Sequence, residues 1–276
     1  MKTYGLIGRP LGHSFSRAFF TEKFRRDGID AQYLNFELPS IDELPQVLSD
    51  HPDLCGFNVT IPYKQQIIPW LDALSDEAKA IGAVNVVRVI RVGGEQQENG
   101  YSGDENGHRP HENGVSSSGT SRAWRLRGYN SDVIGFTQSI RPLLRPHHRQ
   151  ALVLGTGGAS RAVVYGLQRL GLAVQLVSRT PREGVWGYAD VTCGVMNRYT
   201  VVVNCTPLGM HPQTGACPPI PYEAIGSDHL LYDLIYNPEE TLFMRRGRER
   251  GATVKNGLEM LHLQALASWD FWNETD

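Results

Sequence analysis

Residues 151–180 read ALVLGTGGASRAVVYGLQRLGLAVQLVSRT. An apolar run leads into Gly155, Gly157 and Gly158, and a 3.6-period apolar pattern follows up to Gly171. A second apolar run, AVQLVSR, comes next. The order predicts strand, tight turn, helix, strand. Glycines at the turn let the backbone bend sharply and let an anion approach the free N–H groups of the helix N-terminus. A glycine cluster alone can mark only a tight turn. The strand before it and the helix after it make it a dinucleotide-binding unit, with Gly155, Thr156, Gly157, Gly158 and Ala159 as its cradle.

The end of the second strand selects the dinucleotide. An NAD site carries an acidic residue there, roughly 20 residues after the glycines, to accept from the ribose 2′-hydroxyl. This chain has Ser178, Arg179 and Thr180 instead. A guanidinium pairs bidentately with a phosphate, and hydroxyls donate to it. The expected cofactor is NADP. Arg182 is either a further phosphate contact or an exposed loop charge.

Outward from this unit the alternation continues. VVVNCT (201–206) and LLYDLIY (230–236) read as strands, and LEMLHLQALASWDFW (258–272) as a closing amphipathic helix. Upstream, KTYGLIG, QYLNFEL and LCGFNVT read as strands separated by helices over 16–27 and 41–49. That order argues for a parallel sheet. Further helices are expected around Trp70 and over 76–80, then a strand from Ala83 to Val92. AWRLRGYN (123–130) returns as its hairpin partner, and a helix runs from Ser131 toward Pro146. Between the hairpin strands, residues 93–122 are rich in Gly, Ser, Asn and Glu. Such composition buries too little to offset its ordering entropy, so a mobile loop is expected, with His108 and His111 solvated. The fold class is α/β: two sections in series with a cleft between them.

The balance of 27 Lys+Arg against 29 Asp+Glu, net charge -2, gives no global attraction to nucleic acid or to an anionic membrane. No leader peptide and no run of about 20 apolar residues is evident. The four cysteines are widely spaced, which argues against a metal site or disulfide framework and for a cytoplasmic protein.

Short motifs then fall in a fixed order: GRPLGHSFS (8–16), NVTIPYK (58–64), AVN (83–85), GYNSD (128–132), GTGGAS (155–160), SRT (178–180), NCTPLGM (204–210), YDLIYNP (232–238) and NGLEMLHLQA (256–265). The ordered set resembles the shikimate dehydrogenase family along nearly the whole chain apart from the polar insertion. The resemblance implies a substrate and catalytic domain over 1–131, a Rossmann-like NADP domain over 132–255, and a C-terminal helix, 256–276, packing back on the first. It implies reversible reduction of 3-dehydroshikimate to shikimate, by a monomer or homodimer.

Reducing a ring ketone requires a hydride source, a proton donor for the new alkoxide and groups that hold a polyhydroxy acid. By resemblance, Lys64 and Asp132 bracket the reacting hydroxyl. Burial would lower the lysine pKa and the aspartate would raise it, so which residue moves the proton stays open. Ser14 and Ser16 match the residues that hold the substrate carboxylate; their alternation around Phe15 can place both hydroxyls on one side of an extended chain, although a Ser-x-Ser before a helix also serves as an N-cap. Thr60, Asn85 and Gln264 match contacts to the ring hydroxyls, Tyr236 a carboxylate contact, and Asn58 a residue that shapes the site by bonding backbone. Thr206 belongs to the cofactor side. Met260 is either near the nicotinamide or a core methionine.

The chain departs from the family at Arg17-Ala18-Phe19-Phe20, where Pro-His-Asn-type residues are usual, and at Ser178, where Asn is common. Pro181 to Tyr199 is short for a full helix. Three other readings are open. A quinate/shikimate dehydrogenase using NAD would carry an acid at Arg179, and a non-catalytic regulator would lose Lys64 or Asp132. A nucleic-acid binder would use the run Arg245 to Arg250, which reads better as a solvated helix face.

Overall fold

The computed structural model describes residues 1–12, 15–92 and 123–275. Ser14 and the polar insertion 93–122 with its two histidines lie outside the described residues. In chain order the elements are β1 (Lys2–Gly8), α1 (Phe15–Arg26), β2 (Ala31–Glu37), α2 (Leu44–Asp50), β3 (Leu54–Val59), β4 (Ala73–Leu74), α3 (Asp76–Ile81), β5 (Val86–Arg91), β6 (Trp124–Tyr129) and α4 (Asp132–Ile140). The second half has β7 (Gln150–Leu154), α5 (Gly158–Arg169), β8 (Ala173–Ser178), β9 (Val185–Gly187), α6 (Cys193–Met196), β10 (Val201–Asn204), β11 (Leu230–Asp233), α7 (Leu242–Glu249), β12 (Thr253–Lys255) and α8 (Leu258–Trp272).

The N-terminal sheet runs β2-β1-β3-β5-β6-β4. β2, β1 and β3 are parallel, as strand–helix alternation predicts, but β5 is antiparallel to both β3 and β6. The sheet is therefore mixed: the chain reaches β5 through α3 from the far edge and returns by the hairpin. The C-terminal sheet runs β12-β11-β10-β7-β8-β9, and its pairings are all parallel. This is the doubly wound order, and its ligand crevice lies beyond the carboxyl ends of β7 and β10, where the winding reverses.

Several local readings need correction. The helix beginning near Ser131 ends at Ile140 and continues only as a 3-10 turn over Arg141–Leu143, because Pro142 has no N–H for the next helical bond. The segment at Trp70 is likewise a 3-10 turn, Ile68–Trp70, opened by Pro69. Between Pro181 and Tyr199 the expectation of no full helix holds: the chain forms β9, a 3-10 turn and the four-residue α6. Phe15 and Ser16 already belong to α1, so the extended-chain argument for Ser14 and Ser16 does not apply.

Helix α8 belongs with the N-terminal sheet. Trp272 is 5% exposed among Tyr4, Phe20 and Tyr33, and its Nε1 donates to the Val87 carbonyl at 3.1 Å. The ring lies so close to Gly56 that a side chain there would collide with it. α4 crosses α8 closely: a methyl on Gly135 would lie 2.5 Å from the Met260 carbonyl oxygen. α4 also packs through Phe136 and Ile140 into the core of the C-terminal sheet, beside Val153, Val163 and Tyr232. The arginine run lies on α7, where Arg248 pairs with Glu240 at 2.7 Å and Arg246 stacks on Tyr222. Among the described residues, no helix is long and apolar enough to cross a membrane.

Candidate active site

A cavity of about 430 Å³ opens where the carboxyl ends of β1 and β3 face α8 and the start of α5. Of the residues singled out in the sequence, Ser16, Asn58, Thr60, Lys64, Asn85, Asp132, Ala159, Tyr236, Met260 and Gln264 line it. They come from separate stretches of chain, and the placement of each has a local cause. Lys64 lies in the turn after β3, held by its carbonyl accepting from Val84 N–H at 2.7 Å. Asn85 directly precedes β5, its N–H bonded to the Tyr129 carbonyl at 3.1 Å. Asp132 is the first residue of α4, where the helix dipole favours a carboxylate.

The polar groups converge. Lys64 Nζ donates to Asp132 Oδ2 at 2.6 Å. Asn85 Nδ2 donates to Asp132 Oδ1 at 2.9 Å and lies 3.0 Å from Ser131 Oγ and 3.4 Å from Gln264 Oε1. The Asn85 amide is held in that sense because its Oδ1 accepts from Ser131 N–H at 2.7 Å. Asp132 is 4% exposed at its side chain and Lys64 15%, so both oxygens of a buried carboxylate face donors. The arrangement can hold a hydroxyl between an ammonium and a carboxylate and exchange a proton with it.

Asn58 has more partners than the backbone alone. Its Nδ2 reaches the Asn85 carbonyl at 3.2 Å and Ser268 Oγ at 2.9 Å, and its Oδ1 accepts from Tyr33 Oη at 2.9 Å. Burial pushes the Tyr33 phenol above its ordinary value, and a hydrogen bond from Ser16 acts in the opposite direction. Met260 is 6% exposed in the core beside Phe136 and also borders the cavity. Tyr236 is 39% exposed at the cavity mouth and packs edge-on to Phe15.

The glycine turn lies against this cavity. Gly155 has φ +104, a left-handed backbone that favours glycine, and a methyl there would lie 3.1 Å from Thr206 Cγ2. The space above Gly157 is open to 4 Å, and a methyl on Gly158 would meet only the Lys64 stem, at 3.7 Å. α5 begins at Gly158 with no acidic residue in its first turn. Arg179 and Thr180 are exposed just beyond β8, with Ser178 Oγ accepting from Thr180 N–H at 3.3 Å. They lie apart from the main cavity. Arg182 and Thr156 border a second hollow of about 290 Å³ along α5. An open helix N-terminus, a left-handed glycine and an exposed guanidinium beyond β8 fit a dinucleotide bearing a 2′-phosphate.

Some supporting residues gain a role only in the structure: Ser131, Ser268 and Tyr33 beneath the cavity, and Asn204 and Asp233 on the cofactor side. Asn204 Oδ1 accepts from Thr206 N–H and Oγ1 at 3.0 and 2.7 Å, and Asn204 Nδ2 donates to Asp233 Oδ1 at 3.0 Å. Burial raises the Asp233 carboxyl to about 6, against the pull of its Thr241, Ile235 and Asn204 donors. Ser131, Asn204 and Asp233 do lie in the quoted motifs, but nothing in spacing alone marks their partners. Among the described residues, no cluster is placed to hold a metal ion.

Comparison with known proteins agrees with this geometry. Residues 6–87 match the family model described as the shikimate dehydrogenase substrate binding domain. A shikimate dehydrogenase (NADP(+)) of Carboxydothermus hydrogenoformans is 33% identical, the alignment covering 98% of this chain and 91% of that protein. The crystal structure of shikimate dehydrogenase from Aquifex aeolicus superposes with a TM-score of 0.75 at 33% identity, covering 99% of this chain and 92% of that one. That of the Thermus thermophilus enzyme, in complex with NADP(H) and shikimate, gives 0.76 at 28% identity over 99% and 93%. Identity of one third spread over nearly every residue, together with motifs from both halves meeting at one cleft, establishes that the chain belongs to the shikimate dehydrogenase family.

Proposed function

We propose that this protein is an NADP-dependent shikimate dehydrogenase, interconverting 3-dehydroshikimate and shikimate on the route to chorismate and the aromatic amino acids. The observation that carries the reading is the Lys64–Asp132 pair on the cavity wall, with the Lys64 stem 3.7 Å from where a Gly158 side chain would begin. That supports proton exchange beside the nucleotide cradle. Bound NADP supplies hydride acceptance and donation at its nicotinamide. The chain supplies the rest. In the oxidation direction the hydroxyl proton of shikimate would pass to the Lys64–Asp132 pair. In reduction the pair returns a proton to the new alkoxide oxygen.

Thr60, Asn85 and Gln264 orient the ring hydroxyls, and Ser14, Ser16 and Tyr236 hold the carboxylate, which fixes the ring face presented to the cofactor. Asn58 shapes the floor. Gly155, Thr156, Gly157, Gly158 and Ala159 cradle the pyrophosphate, with Thr206 beside them and Met260 near the nicotinamide. Ser178, Arg179, Thr180 and Arg182 meet the 2′-phosphate. This reading divides the chain into a substrate domain over 1–131 joined by 256–276 and an NADP domain over 132–255. It makes the protein a cytoplasmic monomer or homodimer whose partners are small molecules.

The test is absorbance at the reduced-nicotinamide band in four reactions, shikimate or quinate with NADP or NAD. Fast turnover of shikimate with NADP is expected. Preference for NAD would favour the quinate/shikimate alternative, which the absence of an acid directly beyond β8 disfavours.

A further inference from the structure

One helical turn beyond Gln264, a buried hydroxyl joins the two sides of the cavity floor. Ser268 is 1% exposed and borders the cavity. Its Oγ donates to the Gln264 carbonyl at 2.8 Å, accepts from Asn58 Nδ2 at 2.9 Å and lies 3.2 Å from Ser131 Oγ. A hydroxyl has one proton. With that proton on the Gln264 carbonyl, Ser131 must donate to Ser268. Ser131 Oγ then has lone pairs left to accept from Asn85 Nδ2 at 3.0 Å, while the other Asn85 amide hydrogen faces Asp132 Oδ1 at 2.9 Å. On the opposite side Tyr33 Oη donates to Asn58 Oδ1 at 2.9 Å.

Every proton in this string therefore has one direction. One arm runs Asn85 to Ser131 to Ser268. The other runs Tyr33 to Asn58 to Ser268. Both end on the Gln264 backbone. Removing the Ser268 hydroxyl leaves Ser131 without an acceptor and Asn58 Nδ2 with only the 3.2 Å bond to the Asn85 carbonyl. A buried group left unpaired seeks another partner. The Ser131 hydroxyl also accepts from Asn85 Nδ2 at 3.0 Å, so its reorientation changes the hold on Asn85.

We infer that Ser268 is a positioning residue for substrate binding: through one hydroxyl it sets the orientation of Asn85 on one side and Asn58 on the other. The inference rests on the proposed reading of Asn85 and Gln264 as substrate contacts. It differs from a packing role, because a thiol fills nearly the same volume yet donates and accepts weakly.

The test compares wild type, Ser268→Ala and Ser268→Cys. Steady-state rates with shikimate and NADP are combined with calorimetric titration of shikimate onto the protein without cofactor. Both variants are expected to raise the shikimate KM and Kd by ~5- to 30-fold, the range for leaving one or two buried groups unpaired. The KM for NADP should stay within about twofold, with kcat lowered less than KM is raised. Wild-type behaviour of Ser268→Cys beside an impaired Ser268→Ala would reduce the residue to packing and overturn the inference. So would unchanged shikimate affinity in both, or an equal loss for NADP. If Ser268→Ala does not fold, the near-isosteric Ser268→Cys decides alone. A wild-type protein that does not oxidise shikimate overturns the reading of the site and this inference with it, whereas an active wild type with unaffected variants overturns the inference only.

Discussion

Lys64 Nζ and Asp132 Oδ2 meet at 2.6 Å although 68 residues separate them in the chain. The lysine arrives on the turn after β3 and the aspartate on the first turn of α4, which itself packs into the C-terminal core. The pair thus sits where the two sheets are joined, and its geometry depends on α4 keeping its place.

Lys64→Ala and Asp132→Asn should each lower turnover by about 10²–10⁴-fold while leaving NADP affinity nearly unchanged. The double variant should lose less than the product of the singles, because the two act on one proton. Steady-state rates with a cofactor titration check this, and near-wild-type turnover in either single variant removes that residue from the mechanism.

Arg179 stands beyond β8 with no acidic neighbour in the Ser178-Arg179-Thr180 stretch. Arg179→Ala should weaken NADP by about 1.5–3 kcal/mol, the range for a charge-assisted hydrogen bond, and leave NAD largely unaffected. Fluorescence titration of both cofactors measures the difference. Equal losses would detach Arg179 from the 2′-phosphate.

Asp233 is fully buried and its carboxyl is raised to about 6. A raised acid binds its proton more tightly in the folded state. Its favourable contribution is complete below the unfolded value of 3.8 and disappears as pH rises through about 6. Relative to Asp233→Asn, the wild type should lose about 2 kcal/mol between roughly pH 4.5 and pH 7.5, since a tenfold difference in proton affinity between the folded and unfolded states is about 1.4 kcal/mol. Urea unfolding of both proteins across that range tests the sign. A wild type that gains on the variant with rising pH would contradict it.

Gly135 lets α4 approach α8, with its missing methyl 2.5 Å from the Met260 carbonyl and 3.0 Å from the Gln264 amide nitrogen. Gly135→Ala must push the helices apart, at about 1–3 kcal/mol for overpacking. Asp132 lies at the start of one helix and Gln264 on the other, so kcat/KM for shikimate should fall together with the melting temperature. A variant that melts lower yet turns over normally would mean that the helix crossing does not set the site.

What the chain determined by itself is what local physics encodes. The apolar run before Gly155, the helical repeat after it and the absence of an acid directly beyond Val177 specify a nucleotide cradle within thirty residues, because turn chemistry and periodicity act within one or two elements. Strands β1, β2, β3, β7, β8, β10 and β11 are legible for the same reason. β4, β9 and β12, of two or three residues, carry too little pattern to be read, and the antiparallel course of β5 against β3 depends on which sheet edge the returning chain meets. Family motifs named Lys64, Asn85, Asp132 and Gln264, but no spacing placed them at one cavity wall. Only the tertiary structure decided that Asn85 holds Asp132 in place and that Ser268 joins Asn58 to Ser131. Those bonds span 46 to 210 residues, and the two at Ser268 exist because α8, packed through Trp272 on the N-terminal sheet, carries one hydroxyl to the buried side of a cavity lined by residues from both halves of the chain.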